Sequence, residues 1–159
     1  MKVARQDILS GRAMSLADAI CFTSNGVLRK NGNGIMGAGI AKNFRERFSD
    51  FDLEARLGEH LKLNGNCTGI LVQTGDAFGE LAHVGPSIVC LPTKTHWQLP
   101  SDPMLIWASL QKLVQLANKH NWQKVLLTKP GCGRGGLNWR SVEPICKEVL
   151  DGRFTICYL

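Results

Sequence analysis

The 159-residue sequence predicts a single layered α/β domain, and three observations carry that prediction. Short apolar runs rich in β-branched residues alternate with segments whose apolar residues recur at helical spacing, the pattern of a sheet covered by helices. Two glycine-rich loops, Gly32-Asn33-Gly34-Ile35-Met36-Gly37-Ala38-Gly39 and Gly131-Cys132-Gly133-Arg134-Gly135-Gly136, each follow an apolar run and each open an amphipathic segment. The length and the 44% hydrophobic content suffice for one substantial core spanning residues 1–159.

Taken in order, Lys2-Val3-Ala4 reads as an edge strand and Ala19–Phe22 as the first buried one. Ile40, Phe44 and Phe48 then recur at helical spacing, as do Leu53, Leu57 and Leu61. Ile70–Val72 and Ile88–Leu91 are strand-like. Ser101-Asp102-Pro103 is a helix start signal for the apolar face of Ile106, Leu110, Leu113, Val114 and Ala117. Val125–Leu127 and Phe154–Cys157 complete the strands, with a helix between them carrying Val142, Ile145, Cys146 and Val149. Pro144 suits only the first turn of that helix, which places its start near Asn138 to Ser141. No internal repeat, low-complexity segment or linker interrupts the chain.

The net charge of +6 is spread along the sequence with no dominant run. It reads first as a basic solvated surface, and second as attraction for an anionic or nucleic-acid substrate. The opening residues are too short and polar for a secretory signal, and no apolar stretch reaches the roughly 20 residues of a membrane span, so a soluble, cytoplasmic protein without a membrane partner is expected. Cys21, Cys67, Cys90, Cys132, Cys146 and Cys157 lie mostly within apolar runs with no close pair, which argues for reduced thiols and against zinc or a disulfide frame. His60, His83 and His120 lack partners at metal-ligand spacing, and no metal or cofactor is expected. Cys132 lies in a glycine loop but has no adjacent histidine to activate it.

Glycine loops at helix starts suit phosphate. Backbone amides approach the anion unobstructed, and the helix dipole favours negative charge. Neither loop is followed by Lys-Ser or Lys-Thr, which excludes a nucleotide-triphosphatase P-loop. Both satisfy G-x-G-x-x-G, but the acidic residue a dinucleotide site requires about 20 positions later is lacking. Glu54 lies within a helical period, and Asp76 is too far downstream.

Four separated motifs point to a family. Asp7-Ile8, Asp18-Ala19-Ile20-Cys21-Phe22-Thr23-Ser24-Asn25 with Asn33-Gly34-Ile35-Met36-Gly37-Ala38-Gly39-Ile40-Ala41, then Leu91-Pro92-Thr93-Lys94-Thr95-His96-Trp97, and Pro130-Gly131-Cys132-Gly133-Arg134-Gly135-Gly136-Leu137-Asn138-Trp139 follow one another. This arrangement, covering nearly the whole chain, resembles macro domains, in the branch of the DNA ADP-ribosyl glycohydrolase antitoxins and the terminal ADP-ribose protein glycohydrolases. The resemblance implies a three-layer α/β/α fold with a central mixed sheet. It departs from that branch in a longer stretch from Gly26 to Gly32 and in the apparent lack of a strand before Asp7. Gly135 stands where the protein-directed enzymes carry an aspartate, as in the DNA-directed branch.

The resemblance also implies residue roles. Asp7 would accept from the adenine amino group, against the commoner role of a helix N-cap, with the Ile8 amide nearby. Asn25 would lie near the distal ribose, and Thr93, just before Lys94, would bind the ligand. Gly37, Ala38 and Gly39 would wrap the diphosphate with Gly133, Gly135, Gly136 and Leu137, and Gly34, Ile35, Met36, Gly131 and Cys132 would bind the same ligand. Arg134 would touch phosphate or face solvent. Lys94 would be catalytic, placed at the anomeric carbon, where a neutral amine attacks or a charged one steers an oxocarbenium-like centre. Trp97 and Trp139 read first as core residues and second as base-stacking ones. The expected activity is removal of ADP-ribose from a modified macromolecule, DNA bases foremost, with no obligate protein partner. The alternatives are a non-catalytic ADP-ribose or signalling-nucleotide binding module and an ADP-ribose phosphate phosphatase.

Overall fold

The computed structural model describes residues 1–159. Six strands form the central sheet: β1 (Lys2–Arg5), β2 (Ala19–Asn25), β3 (Gly69–Val72), β6 (Ser87–Lys94), β7 (Val125–Thr128) and β8 (Phe154–Tyr158). Their order is β1-β8-β7-β2-β6-β3, all neighbours parallel except β3 with β6. A separate two-stranded hairpin pairs β4 (Ala77–Phe78) with β5 (Leu81–Ala82). The helices are α1 (Gly11–Leu16), α2 (Gly39–Arg47), α3 (Leu53–Asn64), α4 (Pro103–Lys119) and α5 (Trp139–Val149), with a 3-10 turn at Ser49–Phe51.

Strand alternation builds the layers. Ile20 and Phe22 of β2, with Ile88 and Cys90 of β6, face Phe44 of α2 and Leu53, Leu57 and Leu61 of α3. Ala19 and Cys21, with Val89 and Leu91, face Ile106, Leu110 and Leu113 of α4 and Val142 and Cys146 of α5. Both sides of the central strands are thus apolar, as buried parallel sheets require. The expected mixed-sheet, three-layer architecture is the one observed.

The structure adds elements that periodicity missed. Helix α1 buries only Ala13, and the β4–β5 strands are two residues each and exposed, so neither leaves a period to read. β1 is the edge strand read at Lys2-Val3-Ala4, and it supplies the strand before Asp7 that the resemblance implied to be absent. Helix α5 starts after the Asn138 N-cap, within the expected range, yet Pro144 lies beyond its first turn. There Pro144 is exposed, while Val142 and Cys146 on the buried face hold the helix to the sheet.

Candidate functional site

A cavity of about 1010 Å³ opens at the carboxyl edge of the parallel strands, lined by residues that follow β1 and end β2, β6, β7 and β8. The chain leaves β2 toward α2 on one face and β6 toward α4 on the other. Connections that part to opposite faces leave a crevice between adjacent strand ends, the usual ligand position in open α/β sheets. β2 and β6 both run past their apolar cores into polar residues, Thr23-Ser24-Asn25 and Thr93-Lys94. A register shift between Ser24 and Asn25 sets Asn25 opposite Lys94.

Lys94 is partly buried. Its Nζ donates to the Arg134 carbonyl at 3.1 Å and to the Trp97 carbonyl at 3.3 Å, which ties the end of β6 to the second glycine loop. Asn66 Nδ2 donates to the Lys94 carbonyl at 3.0 Å, and the Gly26 amide donates to that of Thr95 at 3.2 Å. Asn25 is buried, with Oδ1 accepting from the Val27 amide at 3.1 Å and Nδ2 donating to the Ile35 carbonyl at 3.4 Å.

The first loop is fastened from behind by Glu54 in the first turn of α3. Its carbonyl accepts from the Gly34 amide at 2.8 Å, and Oε1 accepts from the Met36 amide at 3.2 Å, with Arg45 at 3.5 Å and Arg29 at 3.9 Å. Beyond this anchor the chain enters α2 at Ala38 with no side-chain cap, so amides of the first turn are free at the cavity wall. In the second loop the Cys132, Gly136 and Leu137 amides have backbone acceptors, whereas those of Gly133, Arg134 and Gly135 have none in the protein. A Cβ built on Gly37 or Gly133 meets nothing within 4 Å. Arg29, Lys94, Lys129 and Arg134 contribute positive charge to the lining, against the single side-chain carboxylate of Asp7. Two such amide-rich loops facing one basic recess suit an anionic ligand.

Of the residues singled out from the sequence, Asp7, Ile8, Asn25, Ile35, Gly37, Ala38, Gly39, Thr93, Lys94, Gly131, Cys132, Gly133, Arg134 and Gly135 line this cavity. Gly34, Met36, Gly136 and Leu137 do not. Gly34 packs where a Cβ would come within 2.6 Å of Leu57, and Met36 is fully buried in the core. Gly136 makes a turn at φ +77°, and Leu137 packs on the α4–α5 side. The N-cap alternative for Asp7 fails: Ser10 caps α1, while Asp7 Oδ1 accepts from the Leu9 amide at 2.9 Å. Burial pushes the Cys132 thiol up, with Lys129 opposing, and Sγ donates to the Pro130 carbonyl. Trp139 packs against the core, but Trp97 stands half-exposed on the cavity wall.

Sequence reading missed Gln6, Arg29, Ser101, Thr128, Lys129 and Tyr158 on the same wall. Thr128-Lys129 follows an apolar strand just as Thr93-Lys94 does, a signal that was available in the sequence. Lys129 Nζ sits 4.6 Å from the Tyr158 ring centre. Three buried side-chain polar atoms have no partner: Ser24 Oγ, Ser101 Oγ and Asn66 Oδ1. All belong to this site, the serines on the lining and Asn66 on the Lys94 carbonyl. Buried polar groups left unpaired by the protein are open to a water or a ligand.

The macro domain family model matches residues 29–146. Over 119 residues the chain is 34% identical to the DNA ADP-ribosyl glycohydrolase of Mycobacterium tuberculosis, covering 69% of this chain and 30% of that protein. The chain therefore spans about 30% of the length of that curated relative. Among solved structures, the macrodomain of Mycobacterium tuberculosis DarG matches with a TM-score of 0.71 at 27% identity, and the macrodomain of Thermus aquaticus DarG with 0.70 at 28%. Each match covers 99% of this chain and 97% of the other. No helix is long and apolar enough to cross a membrane.

Proposed function

The chain belongs to the macro domain family, and from that premise we propose that it binds ADP-ribose in the carboxyl-edge cavity and releases it from a modified macromolecule, DNA bases being the favoured acceptor. Residues 1–159 act as one such domain in this reading. The observation that carries it is the placement of Lys94: opposite Asn25 across two parallel strands, with Nζ against the backbone of the second glycine loop. An ADP-ribose whose diphosphate lies along the free amides of Gly37 to Ala41 and Gly133 to Gly135 has its adenine toward Asp7 and Ile8. Its distal ribose then lies toward Asn25 and Lys94.

Lys94 acts at the anomeric carbon. As a neutral amine, Nζ forms a bond to that carbon while the bond to the acceptor breaks, and the acceptor departs with the electron pair and takes a proton; water then frees the ribose. As an ammonium it stays unbonded, and its placement orients the ribose while water attacks. The relatives named DNA ADP-ribosyl glycohydrolase support DNA as acceptor.

The deciding experiment incubates the protein with ADP-ribosylated oligonucleotide and ADP-ribosylated protein side by side and follows free ADP-ribose. Release from the oligonucleotide is expected. Tight ADP-ribose binding with no release from either substrate replaces the enzyme by a binding module.

A further inference from the structure

We propose that Trp97 is a stacking platform for a base of a single-stranded nucleic acid that carries the ADP-ribose. The inference rests on the reading above, in which Lys94 faces the distal ribose. Its starting point is position. Lys94 Nζ donates to the Trp97 backbone carbonyl at 3.3 Å, so Trp97 is one of the two residues whose backbone meets the amine placed at the distal ribose, and it lies on the same cavity wall.

Exposure supplies the second reason. Trp97 is 49% exposed although it lines a cavity, whereas Trp122 is buried at 6% and Trp139 packs on the core. A large aromatic side chain forfeits burial by standing there, and the only ring stacked on it is His96, at 5.4 Å and 26° between planes. That stack steadies the indole. His96 Nδ1 in turn accepts from the Gln98 amide at 3.1 Å, which fixes the His96 ring on its own loop. A steadied, half-exposed indole beside a basic recess is the combination by which proteins hold unpaired bases.

Charge selects the same occupant. Arg29, Lys94, Lys129 and Arg134 line the recess, with Asp7 the one side-chain carboxylate on the lining and Glu54 behind Arg29 at 3.9 Å, and the phosphodiesters flanking a modified base suit this basic wall. Stacking requires a base outside a duplex, because a paired base already stacks on its neighbours. A protein acceptor offers neither the row of phosphates nor an adjacent planar base.

The test uses the Lys94→Ala protein, so that the adduct survives, and compares binding of an ADP-ribosylated single-stranded oligonucleotide, the same adduct in a duplex, and free ADP-ribose by fluorescence polarisation and calorimetry. The single-stranded adduct is expected to bind about ten-fold or more tighter than ADP-ribose, the range one base–indole stack supplies. Adding Trp97→Ala, which retains the backbone carbonyl, should erase that excess while changing free ADP-ribose binding far less. Trp97→Phe should keep most of it, and Trp107→Ala, which removes an exposed tryptophan away from the cavity lining, should change nothing. An excess that survives Trp97→Ala overturns the proposal, as does an equal loss for free ADP-ribose, which would put the indole inside the ADP-ribose pocket. Equal binding of duplex and single strand also overturns it. Failure of the wild type to release ADP-ribose from the oligonucleotide sinks the enzymatic reading instead, and leaves this binding comparison standing.

Discussion

A side chain added at Gly37 or Gly133 meets open space, whereas one at Gly34 or Gly135 runs into Leu57 or into Ser101 and the Gly131 backbone. The glycines of the two loops therefore divide into those that permit packing and those that leave room for a ligand. Gly37→Val and Gly133→Val should leave melting temperature nearly unchanged and weaken ADP-ribose by about 1.4 kcal/mol or more, ten-fold in Kd, as calorimetry will read. Unchanged affinity would move the diphosphate off these loops. For Lys94, whose nearest partners are two carbonyls, Lys94→Ala should lower the rate of ADP-ribose release by about a hundred-fold or more with little change in ADP-ribose affinity, since the lost contact belongs to the transition state. Lys94→Arg separates the two chemistries. A guanidinium stays charged and cannot attack, so rescue by arginine would favour electrostatic steering over bond formation.

At the scale of elements, α3 does more than cover the sheet, because Glu54 in its first turn anchors the first glycine loop through the Met36 amide and the neighbouring Arg45. The carboxylate is mostly buried, its side chain 15% exposed, so loss of the acceptor should be felt. Glu54→Ala should cost about 1.5–3 kcal/mol of stability, the range for a hydrogen bond to a charged group, and should weaken ADP-ribose binding as the loop loosens. Glu54→Gln keeps an oxygen for the Met36 amide and should lose much less. Denaturant titrations and calorimetry on the pair will check this, and equal affinity for Glu54→Ala and wild type would mean that the loop supports itself. In the sequence Glu54 stands near the distance of a dinucleotide-site acid, but its helical setting rules that role out. Its actual role depends on a chain reversal that no local spacing encodes.

For the whole molecule, the thiols make folding depend on pH at the alkaline end. Burial pushes Cys90 up to about 12 and Cys146 up to about 12, from the ordinary 9.0, and raises Cys21 further. A thiol raised in the native state stays protonated while its unfolded counterpart ionises, so its contribution is complete below pH 9.0 and is lost as pH rises toward about 12. Stability should hold near neutral pH and then fall, by about 1.4 kcal/mol per pH unit for each such thiol. Urea unfolding across that range will measure the slope, and Cys90→Ala should make it shallower. A slope unaffected by Cys90→Ala would assign the alkaline loss to other groups.

The α/β class, all six strands of the main sheet and four helices are legible in the sequence, because strands buried on both faces leave short continuous apolar runs, β1 a short edge run at Lys2-Val3-Ala4, and half-buried helices an apolar stripe of period 3.6. The four motifs likewise name most of the cavity wall, since glycine, asparagine and lysine stand there for reasons of backbone space and chemistry that survive in the linear text. Helix α1 and the β4–β5 hairpin were not legible, being too short or too exposed to show a period. Which glycines of a loop face a ligand was decided only in three dimensions: Gly34 and Gly37 read alike until Leu57 closes on one and nothing closes on the other. The same holds for Asn25 opposite Lys94, for Lys129 beside Tyr158, and for Trp97 left half-exposed while Trp139 packs inward. Local composition sets what each segment can do alone, but sheet order and register bring residues far apart in sequence to one edge, and those are set by burying both faces of the sheet at once.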